Sequence, residues 1–303
     1  MSAQTSLRIA VFQYTPIWAD VERNIKRIEA ATARLEPGSV DLICFPEMCF
    51  TGYVFSDPSR LAPLLESPKE GLTASFCAQV AHRMGCHVVA GYPELPDGKE
   101  ESGKIGYNSA MVWSPHGLVH NYRKHNLFEM DLPWASPGQS FTVMSEQIAG
   151  LRTAIAICND LNPPTELGEW CVKKDVQLLI ILCAWLASEA SESVDEHTET
   201  ELSDGAQEME VTEEREGSKP QNEQDAKNQP DSQNVFYWLY RLRGILFEDD
   251  ETERFVVICN RTGTEHGSSF AGSSTMWKFM GDGHFKTLGR LSCKGEHIGI
   301  WKV

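Results

Sequence analysis

The sequence predicts a layered α/β domain. Two observations carry that reading: apolar, strand-like stretches alternate with amphipathic helical ones over residues 7–186, and a strand-rich run closes the chain. A third observation sets the domain's limits. Ser188–Asn234 breaks the rhythm with repeated Glu, Ser, Thr and Gln and no aromatic residue, so it reads as a disordered insertion within one domain spanning 1–303.

The elements follow in order. Leu7–Phe12 is an apolar run that predicts a buried strand. Behind Asp20, a candidate N-cap, Val21, Ile25, Ile28, Ala31 and Leu35 recur at helical spacing. Leu42–Phe45 predicts a second buried strand, which delivers Glu47 just past its end. A Pro- and Ser-rich stretch leads to a predicted helix over Leu72–Met84 and a strand over His87–Tyr92. Tyr107–Trp113 and Leu118–Tyr122 flank Ser114-Pro115-His116-Gly117, the composition of a hairpin turn. Thr153–Cys158 predicts a strand, Glu166–Lys174 a helix and Gln177–Leu182 a strand. After the insertion, Val235–Phe247 predicts a helix, and strands are expected at Phe255–Asn260, Ser274–Phe279, Phe285–Leu291 and His297–Lys302. No internal repeat is visible.

Composition excludes several classes of function. With 303 residues and 41% hydrophobic content, the chain is long enough to bury a large core. Its longest apolar run, Leu178–Leu186, is too short to cross a bilayer. The first residues lack the basic and apolar regions of a secretory signal. Nine cysteines without a CxxC pair fit reduced, buried thiols, so a cytoplasmic protein without disulfides or zinc is expected. Of the net charge of −16, Ser188–Asn234 alone carries −12, and no basic stripe points to nucleic acid.

Three short runs carry chemistry: Phe45-Pro46-Glu47, Tyr122-Arg123-Lys124 and Ile157-Cys158-Asn159-Asp160. They supply a carboxylate, an ammonium and a thiol. A neutral thiol attacks an amide poorly, whereas a carboxylate takes its proton and later returns it to departing ammonia. A lysine beside the nucleophile neutralises the charge that develops on oxygen. Cys158 stands out because an apolar strand ends on it and polar residues follow at once. A sharp turn there exposes the sulfur and aims the Asn159 N–H at an oxyanion, with the Asp160 carboxylate bracing the turn. A Cys–His enzyme would leave Glu47 and Lys124 without a role. No His/Asp/Glu cluster has metal-ligand spacing and no phosphate-loop motif is present.

The order Glu, Lys, Cys resembles the nitrilase superfamily of carbon–nitrogen hydrolases. That resemblance implies two mixed sheets packed face to face between helices, a four-layer α-β-β-α sandwich. Phe50-Thr51-Gly52-Tyr53, Leu127-Phe128 with Trp134, Leu161-Asn162-Pro163, and Asn260 to Glu265 with Phe270 to Ser274 look like the fungal branch that deamidates N-terminal Asn and Gln in the N-degron pathway. Asn159 departs from that branch, where Met is expected. The resemblance implies a Cys158 thioester, Glu47 as base, Lys124 and the Asn159 N–H at the oxyanion, and Glu129 as the second active-site glutamate. It requires no cofactor or metal. The partners it implies are N-terminal segments of proteins or peptides, without nucleic acid or membrane, and a homo-oligomer is compatible with it. Tyr53, Trp134 and Trp185 are candidate pocket walls, and Glu129, Asp131 and Glu265 candidate partners for a substrate ammonium. The alternatives are a small-molecule amidase of the ω-amidase or N-carbamoyl amide hydrolase type, and a silent binding module.

Overall fold

The computed structural model describes residues 7–98, 103–188, 210–213, 229–248 and 252–303. Its first seven strands are β1 (Arg8–Gln13), β2 (Leu42–Cys44), β3 (His87–Glu94), β4 (Tyr107–Ser114), β5 (Gly117–Arg123), β6 (Thr153–Ile157) and β7 (Leu178–Cys183). The rest are β8 (Glu210–Glu213), β9 (Arg254–Asn260), β10 (Thr264–Glu265), β11 (Ser268–Ser269), β12 (Thr275–Gly281), β13 (His284–Arg290) and β14 (His297–Lys302). The helices are α1 (Val21–Thr32), α2 (Pro58–Leu61), α3 (Leu72–Met84), α4 (Leu167–Lys173), α5 (Ser232–Arg241) and α6 (Arg243–Leu246).

Alternation along β1 generates the layers. Ile9 and Val11 face one way and Ala10 and Phe12 the other, as the two-residue period of a strand requires. The first pair packs against the β6, β7 and β9 side chains, and the second against α1 and α3. One sheet has the order β5–β4–β3–β2–β1–β14–β8, and the sheet facing it β13–β12–β9–β7–β6. Helices α4, α5 and α6 pack on this second sheet, through Leu167, Cys171, Val235, Trp238, Ile245 and Leu246. The result is the expected α-β-β-α sandwich. Every residue of β7 is buried. A fully buried aliphatic side chain contributes roughly 1.5–3 kcal/mol, so central strands like this one anchor the core.

Strand direction positions the site. β2 runs parallel to β1 and β3, and β6 runs parallel to β7, which runs parallel to β9. Parallel strands deliver their C-terminal ends together, and ligand crevices open there in α/β folds.

Several boundaries differ from expectation. Cys158 lies outside β6, in a 3-10 turn over Cys158–Leu161, because the Asp160 carboxylate takes the Ile157 N–H at 2.8 Å and so curls the chain. The run Val235–Phe247 is two helices that meet at Leu242, and the first starts earlier, at Ser232. Its cap, Asp231, is buried and accepts from the Asn234 N–H and from both the N–H and the hydroxyl of Ser188. Asn234 in turn bonds the Trp185 indole and the Leu186 carbonyl. Both ends of the segment read as disordered are therefore stitched to the domain. Inside it, Glu210–Glu213 pairs in parallel with β14. Edge pairing uses the backbone alone, so an apolar count does not register it. The rest of that expectation falls on 189–209 and 214–228, outside the described residues.

We expect replacement of residues 190–228 by a short Gly/Ser linker to leave a folded protein. The longer deletion, 188–234, should lower the melting temperature further, because it removes the Asp231 cap, worth about 1 kcal/mol, and the Asn234 bridges. Thermal denaturation of the two variants side by side checks this; equal melting temperatures would show that the stitch contributes nothing.

Candidate active site

The three sequence runs converge. Glu47 follows β2 in a turn that packs against β3 at Gly91. A Cβ at Gly91 would come within 2.6 Å of the Glu47 Cα and 2.8 Å of the Met48 nitrogen, so only glycine lets the two backbones touch. Glu47 is fully buried. Its Oε1 accepts from the Lys124 ammonium and from Asn108 Nδ2, each at 2.7 Å, and its Oε2 accepts from the Ala184 N–H at 2.7 Å.

Lys124 continues directly from β5. Its N–H donates to the Asn108 carbonyl at 2.8 Å and its carbonyl accepts from the Gly138 N–H at 2.7 Å. Its Nζ lies 2.7 Å from Glu47 Oε1, 2.7 Å from Asp131 Oδ2, and 5.7 Å from the Tyr53 ring centroid. Asn108 Nδ2 also donates to Asp131 Oδ1 at 2.9 Å, which closes a ring of four buried side chains.

Cys158 follows β6 with a φ of 43°, in the left-handed region that non-glycine residues avoid. Asp160 holds that turn. One carboxylate oxygen accepts from the Ile157 N–H and the Tyr122 hydroxyl (2.8 and 2.7 Å), and the other from the His125 and Asn126 N–H groups (3.1 and 2.7 Å). A single carboxylate thus ties the Cys158 turn to the segment after Lys124. Asn159 adds a second tie: its Nδ2 donates to the Leu127 carbonyl at 2.9 Å.

Burial governs the electrostatics. It raises the proton affinity of Glu47 against the pull of Lys124, and the nearby Asp131 charge adds to the rise. Burial opposes the charge on Lys124, but the Asp131 and Glu47 carboxylates outweigh it and hold the pKa well above the ordinary value. The Cys158 thiol is pushed well up by burial, by the Cys183 thiol and by Glu47, with Lys124 acting the other way. Asp160 is raised by burial to about 6, its hydrogen bonds opposing. The site therefore rests as a protonated thiol beside a carboxylate of raised basicity, with a permanent cation in reach of both.

Several sequence candidates stand elsewhere than expected. Glu129 is exposed and does not enter the cluster. Asp131 takes the place expected of a second glutamate, because its side chain accepts from the Phe128 N–H at 2.9 Å and so closes a tight turn that faces it inward. That commitment also removes Asp131 as a free partner for a substrate ammonium. Glu265 is likewise occupied, by the Tyr53 and Val54 N–H groups and by Arg261 at 2.7 Å. It positions Tyr53. Trp185 packs on Tyr237 and Trp238 of α5, whereas its neighbour Ala184 joins the buried cluster of Tyr53 and Trp134. Tyr53 and Trp134 lie with Ala184, Met48 and Phe270 in one buried cluster.

Sequence reasoning missed Asn108 and the Ala184 N–H. A polar residue at the start of an apolar strand is a visible signal for Asn108; a backbone donor leaves none. Among the described residues, Tyr53 OH, Trp134 Nε1 and Asn108 Oδ1 are buried without a hydrogen-bond partner. Among the described residues, no group of His, Cys, Asp and Glu could hold a metal ion and no helix is long and apolar enough to cross a membrane. A surface cavity of about 190 Å³, lined by Trp18, Val54, Phe55, Ser56, Asp57, Arg60 and His266, begins one residue beyond Tyr53.

Comparison with known proteins agrees with this fold. The family model for carbon–nitrogen hydrolases matches residues 8–211. A protein N-terminal amidase of Schizosaccharomyces pombe is 27% identical over 293 residues, 88% of this chain and 90% of that protein. A crystal structure of an N-terminal amidase superposes with a TM-score of 0.80 at 22% identity, covering 98% of this chain and 97% of that one. Another, of N-terminal amidase with an Asn-Glu-Ala peptide, gives 0.77 at 22% identity with the same coverage.

Gly91→Ala should cost about 1–3 kcal/mol of stability and lower activity, because the added methyl meets backbone that cannot rotate away. Urea denaturation with an activity assay checks this. Wild-type behaviour in both would mean that the Glu47 turn is free to move.

Proposed function

The chain belongs to the carbon–nitrogen hydrolase family, and from that premise we propose that it hydrolyses the side-chain amide of N-terminal Asn and Gln in proteins or peptides, yielding Asp or Glu and ammonia. One observation carries the chemistry: a buried carboxylate, ammonium and thiol from three distant segments occupy one site. The substrate class is supported by the near full-length likeness to the S. pombe amidase.

In the proposed reaction, Glu47 takes the Cys158 proton as the sulfur attacks the carboxamide carbon. Lys124 and the Asn159 N–H stabilise the oxyanion. Glu47 returns the proton to the departing nitrogen, ammonia leaves, and a thioester remains on Cys158. Glu47 then deprotonates water, the water oxygen adds to the thioester carbon, and the sulfur leaves and recovers its proton. Asp131 keeps Lys124 charged and makes Glu47 a stronger base, while Asn108 fixes both carboxylates. The unpartnered Tyr53 hydroxyl and Trp134 indole N–H suit a guest with its own donors and acceptors. Since Asp131 and Glu265 are both committed, the substrate ammonium meets the net negative charge of the Glu47–Lys124–Asp131 cluster and no lone acid.

Cys158→Ala should abolish turnover, and Glu47→Gln should reduce kcat roughly 10²–10⁴-fold, with an acyl adduct on Cys158 visible by mass spectrometry of a slow substrate. The pH profile follows from the sign of the Glu47 shift. Its proton affinity is raised and the base form is needed, so kcat/KM falls as pH drops through a value above the ordinary glutamate range. Asp131→Asn removes a neighbouring negative charge and should move that acidic limb to lower pH. A limb that stays put or moves up would remove Asp131 from this role.

Asn-Gly-Gly with a free N-terminus should release ammonia, and its N-acetylated form should not. Equal turnover of the two would overturn the N-terminal assignment, and preferential turnover of α-ketoglutaramate would replace it with a small-molecule amidase.

A further inference from the structure

Cys183 has no part in the proposed chemistry, yet it stands beside the nucleophile. β6 and β7 run parallel with Ile157 opposite Leu182, so Cys158 and Cys183 are the next residues on the two adjacent chains. Ile157 and Leu182, one residue back on each chain, are cross-strand neighbours at the usual spacing of about 4.8 Å, and a disulfide spans Cα separations of roughly 4.4–6.8 Å. The Cys183 thiol lies near enough to the Cys158 sulfur to help hold its proton. The two differ in access. Cys183 has no exposed surface, whereas Cys158 keeps 6%. A small reagent therefore meets Cys158 first and reaches Cys183 only through it.

We propose that Cys158 and Cys183 form a peroxide-responsive thiol pair that closes to a disulfide, switching the active site off and protecting its nucleophile. The step balances as follows. Glu47 takes the Cys158 proton, and the thiolate attacks one oxygen of hydrogen peroxide. The O–O bond breaks, sulfenic acid forms, and the departing hydroxide takes the Glu47 proton to become water. The Cys183 sulfur then attacks the Cys158 sulfur, the S–O bond breaks, and a second water leaves with the Cys183 proton. One peroxide is reduced to two waters as two thiols are oxidised to one disulfide. Cys183 reacts before further oxygen can add, so an external dithiol restores the enzyme instead of finding an irreversible sulfinic acid. The other thiol near Cys183, Cys259, is turned towards the Phe12 and Cys44 carbonyls at 3.5 and 3.4 Å and is not placed to compete.

The test treats the full-length protein with a few equivalents of hydrogen peroxide, enough for sulfinic or sulfonic acid to form, and its mass readout needs no substrate. Wild-type protein should lose two hydrogens, lose two alkylatable thiols and yield a cross-linked peptide joining Cys158 to Cys183. Activity, taken relative to each protein's untreated value, should vanish and return fully with dithiothreitol. Cys183→Ser and Cys183→Ala should instead gain two or three oxygens on Cys158 and stay inactive after reduction. Irreversible inactivation of wild type, a cross-link between Cys183 and Cys259, or equal recovery of the Cys183 variants would each overturn the proposal. If neither variant folds, the wild-type cross-link alone decides it.

Discussion

Lys124 is the constraint around which this protein is arranged. An ammonium with no exposed surface survives only where anions replace the water it has lost, and here two carboxylates do so at 2.7 Å. Removing one partner from such a buried group typically costs 3–5 kcal/mol. Every nearby element answers to that requirement. β2 ends where it must for Glu47 to arrive, the 128–131 turn brings Asp131, and β4 contributes Asn108, which holds both acids. The two parallel strand sets meet there as well, since the Ala184 N–H past β7 binds the Glu47 oxygen that Lys124 leaves free.

In the proposed chemistry, the same cluster lets a buried thiol react. A low-polarity interior favours neutral forms, so Cys158 keeps its proton and Glu47 gains affinity for one. The rise at Glu47 makes it the better acceptor, and the Lys124 charge favours the thiolate against the burial that holds the thiol's proton. Proton transfer then moves charge within a preorganised cluster instead of creating it in a dry cavity, while Lys124 holds its charge throughout.

The layers were legible because they rest on period-two burial, which Ile9/Val11 and Ala10/Phe12 display directly. Glu47, Lys124 and Cys158 were legible because each sits at a strand end within a distinctive run. Asp131 and Glu129 were confused because both lie in the same short segment, and only the side-chain bond to the Phe128 N–H decides which faces inward. Trp185 looked like a pocket wall in one dimension. Its ring is claimed by Tyr237 and Trp238 of α5, far along the chain and across a segment whose composition predicts no partner. β8 was invisible for a related reason: pairing through the backbone leaves no mark in residue type.

The left-handed backbone of Cys158 carries an evolutionary consequence. A side chain there costs roughly 1–2 kcal/mol relative to glycine, so the chain tolerates a thermodynamic handicap at the residue its chemistry needs. The four donors gathered by Asp160 offset it, and selection on Asp160 thereby becomes selection on Cys158. A lineage that abandoned catalysis would be free to place glycine at 158, gain stability, and let Asp160, Tyr122 and Asn126 drift. The strained cysteine and its brace thus form one unit, in which a change at either residue alters what the other is worth.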